Sequence, residues 1–145
     1  ITWTGGEALL IDGLDELLKI SHNNNIKNKI ITNGKLLTKD KIDKIIKYLD
    51  SITLSIDSID NAINEVLGRG KNHYNEIKEI LDYIKENYNE LYSKYLDIYV
   101  TKNNNYWTKL ADEINNYCEK NKIKYVNYFY HKELVEKKKE GMKNG

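Results

Sequence analysis

The sequence predicts an α/β fold with a parallel β-sheet, and two observations support this prediction. Short runs rich in β-branched residues alternate with longer amphipathic runs, about five times along the 145-residue chain. The strand-like runs are not separated by hairpin turn sequences, so we expect helical crossovers between them. Such a chain forms either an open doubly wound sheet or an arc of a (β/α) barrel that is too short to close.

The predicted elements follow one another without a linker or a shift in composition, which indicates one domain. Strands are predicted over residues 1–4, 29–32, 51–55, 96–101 and 126–130. Helices are predicted, from apolar residues at helical spacing, over 9–21, 38–49, 57–67, 74–92, 106–121 and 132–139. The expected architecture is therefore about five βα units in sequence.

Composition and charge narrow the functional classes. The net charge is +1, so the chain shows no electrostatic preference for nucleic acid, and we expect no nucleic-acid partner. Apolar runs stay well below the ~20 residues of a membrane span, and no signal-peptide pattern appears in the sequence. Cys118 is the single cysteine, which excludes an internal disulfide and any Cys-rich metal site. These features predict a cytoplasmic protein without a membrane partner.

Polar residues and glycines follow one predicted strand after another. The segments are Thr4-Gly5-Gly6-Glu7, Thr32-Asn33-Gly34, Ser55-Ile56-Asp57-Ser58 and Thr101-Lys102-Asn103. In a parallel sheet these segments lie along one edge, where ligands bind. Each segment taken alone is better explained as an ordinary turn, whereas the ordered series favours a ligand site. At Gly5 and Gly6 we expect a positive φ and close approach of the backbone to a ligand.

The ordered series of segments resembles the radical S-adenosylmethionine (radical SAM) family. Members commonly carry G-G-E-P, T-N-G and S-x-D-S or S-x-D-G after their second, third and fourth strands. The corresponding segments here are Gly5-Gly6-Glu7-Ala8, Thr32-Asn33-Gly34 and Ser55-Ile56-Asp57-Ser58. The resemblance covers most of the chain and thins after about residue 100. It implies a partial (β/α) barrel, with residues 1–145 forming a radical SAM core domain from its second strand onward.

The resemblance also implies a site for S-adenosylmethionine (SAM). The implied binding residues are Gly5, Gly6, Glu7, Asn33, Ser55, Asp57 and Arg69. The glycine loop would accept the methionyl ammonium, and Arg69 would pair with the SAM carboxylate. Ser55 and Asp57 suit ribose hydroxyls or the ammonium. Asn33 would either face the ligand or form its turn, and Glu7 would either add an acceptor or cap a helix. No catalytic residue is assigned.

Radical SAM enzymes hold a [4Fe-4S] cluster on a C-x-x-x-C-x-x-C loop after the first strand, and thiolates are its ligands. Cys118 cannot supply such a loop, and we expect it to be a buried apolar side chain. We therefore expect the cysteine loop upstream of Ile1, in an N-terminal part that this chain lacks. With that cluster and an external electron donor, the parent enzyme would generate a 5′-deoxyadenosyl radical. The chain alone is expected to be inactive. His22, His73 and His131 share no ligand spacing and are expected at the surface.

A narrower resemblance concerns the segment that follows the third predicted strand. Ser55-Ile56-Asp57-Ser58-Ile59-Asp60 leads to Asn64, Gly68-Arg69-Gly70 and Asn72-His73. Viperin-like radical SAM enzymes show a similar succession, and they dehydrate nucleoside triphosphates to dideoxydidehydro products. Residues 97–103 depart from the lysine-bearing strand of viperins. The alternative is a cluster-less α/β module that binds a nucleotide or a protein partner, and the coding sequence upstream of Ile1 would separate the two.

Overall fold

A five-stranded β-sheet, in which every neighbouring pair of strands is parallel, forms the centre of the computed structural model. The structure describes residues 1–100 and 107–127. The strands are β1 (Thr2–Trp3), β2 (Lys29–Thr32), β3 (Ser51–Ser55), β4 (Leu96–Val100) and β5 (Lys124–Asn127). The parallel sheet expected from the sequence is thereby confirmed.

The strands lie side by side in the order in which they occur along the chain. A doubly wound sheet would instead reverse its strand order at a switch point. In a (β/α) barrel each strand pairs with the strand before it, as β2, β3, β4 and β5 do here. The order therefore decides between the two architectures that the sequence left open, in favour of an arc of a (β/α) barrel.

Helices connect consecutive strands. They are α1 (Leu14–Asn23), α2 (Lys39–Ile45), α3 (Asn61–Val66), α4 (His73–Asn87), α5 (Asn89–Lys94) and α6 (Trp107–Asn121), with 3₁₀ turns at Ala8–Leu10 and Ile46–Tyr48. None of the helices in the described parts of the chain combines the length and the apolar character needed to cross a membrane.

Three predicted helices differ from the observed ones, and each difference has a local cause. Gly13, with φ of +68°, separates the 3₁₀ turn from α1 within the predicted helix 9–21. Tyr88, at φ −139° and ψ 53°, separates α4 from α5 within 74–92. The predicted helix 57–67 begins only at α3, because the side chain of Asp60 accepts a hydrogen bond from the Ala62 N–H and caps that helix.

The last predicted elements are only partly described. The fifth strand begins at Lys124 rather than at residue 126, and its expected continuation over 128–130 lies outside the described residues. The predicted helix 132–139 also lies outside the described residues. So does Thr101, the residue expected at the ligand edge after β4.

The two faces of the sheet differ in chemistry. One face carries the fully buried Ile30, Ile52, Leu54, Leu96 and Ile98, which form one apolar core with helix residues. Residues alternate along each strand, and residues in register share a face. The opposite face therefore carries Lys29, Thr53, Ser55 and Asp97, and is called the polar face below. Because helices surround a (β/α) barrel, the polar face corresponds to the barrel interior.

Gly34 provides a test of this packing. Its φ is +80°, and an added Cβ would collide with Cδ1 of the buried Ile77 in α4. Gly13 has a similar φ of +68° but open space around the Cβ position. We expect Gly13→Ala to lower the free energy of unfolding by about 1–2 kcal/mol, from backbone strain. Gly34→Ala should cost at least about 1 kcal/mol more, because Ile77 must move in a packed core.

Urea denaturation of both variants measures this difference. Both substitutions restrict the unfolded chain equally, so that contribution cancels between them. Equal losses for the two variants would contradict the packing of α4 against the turn after β2.

Candidate functional site

The loops that follow β1 and β2 are joined by a single carboxylate. Oε1 of Glu7 accepts hydrogen bonds from Thr32 Oγ1 at 2.5 Å and from the Leu9 N–H at 3.2 Å. Oε2 accepts from the Asn33 N–H at 3.0 Å. Glu7 therefore caps the 3₁₀ turn, which is one of the two roles expected for it. It also holds the loop after β2 in place at the same edge of the sheet.

The glycine loop after β1 has an open side. Apart from the adjacent residues, no heavy atom of the described chain lies within 4 Å of the Cβ position of either Gly5 or Gly6, and both residues are exposed. Gly5 has a φ of +137°, as expected. The same expectation is wrong for Gly6, whose φ lies outside the positive region. The backbone is thus accessible at both positions, but conformation requires a glycine only at Gly5.

Asn33 forms the turn after β2. Its Oδ1 accepts a hydrogen bond from the Lys35 N–H at 2.9 Å, the arrangement of an Asx turn. Of the two roles that the sequence allowed, the structure displays the turn, and contact of Asn33 with a ligand stays a prediction.

A buried ion pair occupies the loop after β3. The side chain of Asp57 is 5% exposed, and its Oδ2 accepts a hydrogen bond from Arg69 Nε at 2.6 Å. Its other oxygen, Oδ1, is buried and has no hydrogen-bond partner among the described residues. Removing a carboxylate from water is costly unless it is paired, and Arg69 supplies the opposite charge. The unpartnered oxygen is unusual for a buried polar group and marks a position where a ligand could donate a hydrogen bond.

Asn64 organises the same loop from inside. Its Nδ2 donates to the Ser58 carbonyl at 2.8 Å, and its Oδ1 accepts from the Ser58 N–H at 3.0 Å. The backbone carbonyl of Asn64 accepts from the Arg69 N–H at 2.8 Å. This fully buried amide therefore connects the end of β3 with the turn that presents Arg69.

His73 lies at the start of α4 against the end of β3. It is 1% exposed, so the expectation that it lies at the surface is wrong. Its Nε2 lies 3.3 Å from the Ser55 carbonyl, which accepts the hydrogen bond. Burial lowers the pKa of the His73 imidazole, while the hydrogen bond to Ser55 raises it. The pKa of His73 is lowered overall, so the ring is neutral at pH 7 with its proton on Nε2, and the buried Nδ1 has no hydrogen-bond partner in the described parts of the chain.

The predicted binding residues thus come together at one edge of the sheet. The first part of the candidate site is the pair of linked loops after β1 and β2, which carry Gly5, Gly6, Glu7 and Asn33. The second part is the loop after β3 with the turn that it contacts, which carry Ser55, Asp57 and Arg69. Sequence reasoning missed His73 and the linking role of Asn64. Their place in the succession of residues after β3 was the available indication.

Cys118 does not fit an iron–sulfur cluster. It lies fully buried within α6 in the apolar core, and burial raises the pKa of its thiol to about 12. Cluster ligands must be thiolates, and this group stays protonated. The described residues also contain no group of three or more His, Cys, Asp or Glu side chains that could hold a metal ion. The sulfur ligands of a cluster are therefore not provided by the described part of this chain.

The profile of the Radical SAM superfamily matches residues 1–114. The chain belongs to this superfamily, whose enzymes use SAM and a [4Fe-4S] cluster. The family resemblance based on the three strand-end segments is confirmed.

Curated relatives of the chain include nucleotide dehydratases. An S-adenosylmethionine-dependent nucleotide dehydratase of Flammeovirga pacifica is 40% identical over 84 residues, which cover 53% of this chain and 29% of the relative. A protein of the same description from Thermoplasmatales archaeon (strain ISO4-H5) is 36% identical over 83 residues, covering 57% and 30%. The chain therefore spans less than a third of the length of these relatives.

Solved structures share the fold. Streptococcus suis SuiB bound to S-adenosylmethionine superposes with a TM-score of 0.61 and 26% identity, over 86% of this chain and 28% of SuiB. SuiB bound to the precursor peptide SuiA gives the same TM-score and identity. A domain of pyruvate-formate lyase-activating enzyme from Bacteroides vulgatus ATCC 8482 has a TM-score of 0.56 at 13% identity, covering 88% of this chain and 97% of that domain. This last likeness concerns the fold alone.

The loop after β3 yields a prediction about two asparagines. Asn64 needs both halves of its amide, whereas Asn61 uses its Oδ1 to accept from the Tyr74 N–H at 2.9 Å. Asn64→Asp should lower the free energy of unfolding by about 1–3 kcal/mol, because a buried carboxylate would face the Ser58 carbonyl oxygen. Asn61→Asp keeps its acceptor and lies near the N-terminus of α4, so it should cost little.

Thermal and urea denaturation at pH 7 compare the two variants. The Asn64→Asp loss should diminish as the pH falls towards 4, where protonation of the new carboxyl restores a donor. Similar stability of both variants at pH 7 would show that the two hydrogen bonds between Asn64 and the Ser58 backbone do not contribute to the free energy of unfolding.

Proposed function

We propose that the chain is the SAM-binding part of a cytoplasmic radical SAM enzyme that dehydrates a nucleoside triphosphate to a dideoxydidehydro product. In this proposal residues 1–145 are the core domain from its second strand onward, and the cysteine loop precedes Ile1. The observation that carries the SAM site is the buried Asp57–Arg69 pair at the same edge as the open glycine loop, in which Asp57 Oδ1 has no partner among the residues that the structure describes.

The residues at this edge fit the polar groups of SAM. The carbonyls of the Gly5–Gly6 loop are accessible to accept the methionyl ammonium. Arg69 offers a planar set of donors to the SAM carboxylate, and its Nε is held by Asp57. The Ser55 hydroxyl and Asp57 Oδ1 are suited to ribose hydroxyls or the ammonium. Glu7 and Asn33 act by holding the two loops in register.

When bound, SAM and the cluster would supply a 5′-deoxyadenosyl radical, and an external donor would supply the electron that this requires. The protein contributes binding, orientation and exclusion of water. Arg69 and the glycine loop would anchor the methionyl end from two sides, which fixes the direction in which the ribose points. Neutral His73 holds the Ser55 carbonyl, so the end of β3 keeps its position without adding a charge beside the site.

The nucleotide substrate is supported by the relatives, which are nucleotide dehydratases at 36% and 40% identity. The succession from Ser55 to His73 supports the same branch, and its buried members account for the shape of the loop after β3. The peptide-bound SuiB structure is less similar in sequence, at 26% identity. A cluster-less binding module is the second candidate, because Cys118 is unsuited to ligation.

Arg69 is the most direct test of the SAM site. Arg69→Ala should weaken SAM binding about ten- to hundred-fold, the equivalent of the roughly 1.5–3 kcal/mol of a charge-assisted hydrogen bond. Arg69→Lys should recover part of the affinity, since an ammonium keeps the charge but lacks the planar fork. Isothermal calorimetry with the full-length gene product measures both constants.

The matched control is Lys71→Ala, which removes an exposed positive charge from the same turn. It should leave the affinity within about two-fold, because exposed charges interact weakly in water. Circular dichroism must show folded protein for Arg69→Ala, since Asp57 loses its partner. Unchanged SAM affinity in the folded variant would remove Arg69 from the site.

The missing sulfur ligands give a separate prediction. After anaerobic iron–sulfur reconstitution, the 145-residue chain should show no cluster absorbance and should not form 5′-deoxyadenosine from SAM under a strong reductant. The reason is that its single cysteine is a buried thiol. Formation of 5′-deoxyadenosine by this chain alone would contradict the assignment of the cluster ligands to another segment.

A further inference from the structure

An ion pair crosses the polar face of the sheet next to a buried threonine. Lys29 Nζ of β2 lies 3.2 Å from Asp97 Oδ2 of β4, and the two side chains are 34% and 19% exposed. Thr53 of β3, the strand between them, is in register with Asp97. Lys29 is in register with Ser51, two residues before Thr53, so the three residues are neighbours on the face that corresponds to the barrel interior and are called the cluster below.

The Thr53 hydroxyl has no hydrogen-bond partner among the described residues, although the residue is only 2% exposed. A buried hydroxyl without a partner has lost its hydrogen bonds to water without gaining any in return, which destabilises the fold. Valine has nearly the same shape, carries no polar group and favours strands equally well. The fold by itself therefore gains nothing from a hydroxyl at this position, and a ligand that completes its hydrogen bond would account for it.

The charges around Thr53 limit the chemistry of that ligand. Lys29 and Asp97 neutralise each other, so the cluster does not favour a phosphate group, and the Asp97 carboxylate would repel one. A neutral hydroxyl suits the cluster better, because it can donate to Asp97 and also exchange a hydrogen bond with Thr53. The cluster thus matches a sugar hydroxyl rather than the triphosphate.

The position agrees with this chemistry. Thr53 precedes Ser55 by two residues on the same face, which places it about 6–7 Å further from the edge that carries the proposed SAM site. Consider a substrate in the barrel interior whose reacting atoms lie at that edge. The group of the substrate that neighbours those atoms would then reach Thr53. For a nucleotide whose sugar is dehydrated, that neighbouring group is a ribose hydroxyl.

We propose that Thr53, together with the Lys29–Asp97 pair, binds a ribose hydroxyl of the nucleotide substrate and orients the sugar beneath the SAM site. This inference rests on the proposed nucleotide substrate. It assigns specificity for the sugar to the polar face of β2, β3 and β4, and it leaves the triphosphate to other parts of the protein.

The test uses Thr53→Val in the full-length gene product, with ATP, CTP, GTP and UTP as probes and with the 2′-deoxy and 3′-deoxy forms of whichever binds best. Thr53→Val should weaken binding of the ribonucleotide about five- to hundred-fold, the range of one hydrogen bond to a buried group. It should weaken binding of one of the two deoxy forms much less, because that form lacks the matching hydroxyl. Thr53→Ser should restore most of the affinity.

Thr32→Val is the matched control for stability. Thr32 is as buried as Thr53, but its hydroxyl donates to Glu7 and accepts from the Gly34 N–H at 3.1 Å. Thr32→Val should therefore destabilise the fold, whereas Thr53→Val should leave it equally stable or more stable. A loss for Thr53→Val as large as that for Thr32→Val would mean that the hydroxyl is already bonded, and would overturn the inference.

Two further outcomes separate this inference from the proposed function. If the ribonucleotide and both deoxy forms lose equal affinity, or none loses any, the assignment of Thr53 is wrong while SAM binding and nucleotide binding by the unmodified protein stand. If the unmodified protein binds SAM but none of the nucleotides, the proposed substrate is wrong, and this inference falls with it.

Discussion

The parallel pairing of β3 with β2 on one side and β4 on the other is the constraint on which the site depends. Because the three strands run in one direction, the loops after β2 and β3 emerge at the same edge, where Glu7 and Arg69 lie. The alternation along β3 places Leu54 in the apolar core and Ser55 on the polar face. A slip by one residue would exchange the two and bury the polar side chains among the helices.

The loop after β3 keeps the charged Asp57 carboxylate in a fixed position although it is almost completely buried. Asp57 loses nearly all of its contact with water, and the ion pair with Arg69 offsets that cost. Asn64 and the neutral His73 support the loop with hydrogen bonds to its backbone, so that neither adds another charge. A site built in this way is positioned before any ligand arrives, which reduces the ordering that binding must impose.

The described part of the chain therefore has the properties of a binding and orienting scaffold. In the proposed function, its polar groups at the sheet edge bind the ammonium, the carboxylate and the hydroxyls of SAM. Its single cysteine is enclosed in the core with a raised thiol pKa, which makes it unsuited to iron–sulfur ligation. Superfamily membership is consistent with this division, since the cofactors perform the radical chemistry and the protein directs it.

The sequence by itself determined β2 and β3 to the residue, because each is a β-branched run bounded by turn residues. It also determined the order of the strand-end segments, and with them the superfamily. Helix ends were less predictable, since a local conformation such as that of Gly13 or Tyr88 divides a periodic apolar pattern without altering it.

Only the tertiary structure decided the spatial order of the strands, the burial of His73 and the position of the Thr53 hydroxyl away from any hydrogen-bond partner within residues 1–100 and 107–127. The physical reason is that each depends on groups far apart in the chain. Glu7 and Thr32 are 25 positions apart, and Lys29 and Asp97 are 68 apart. Local propensity and periodicity extend over a few residues, whereas hydrogen bonds and desolvation depend on whichever atoms the fold brings into contact.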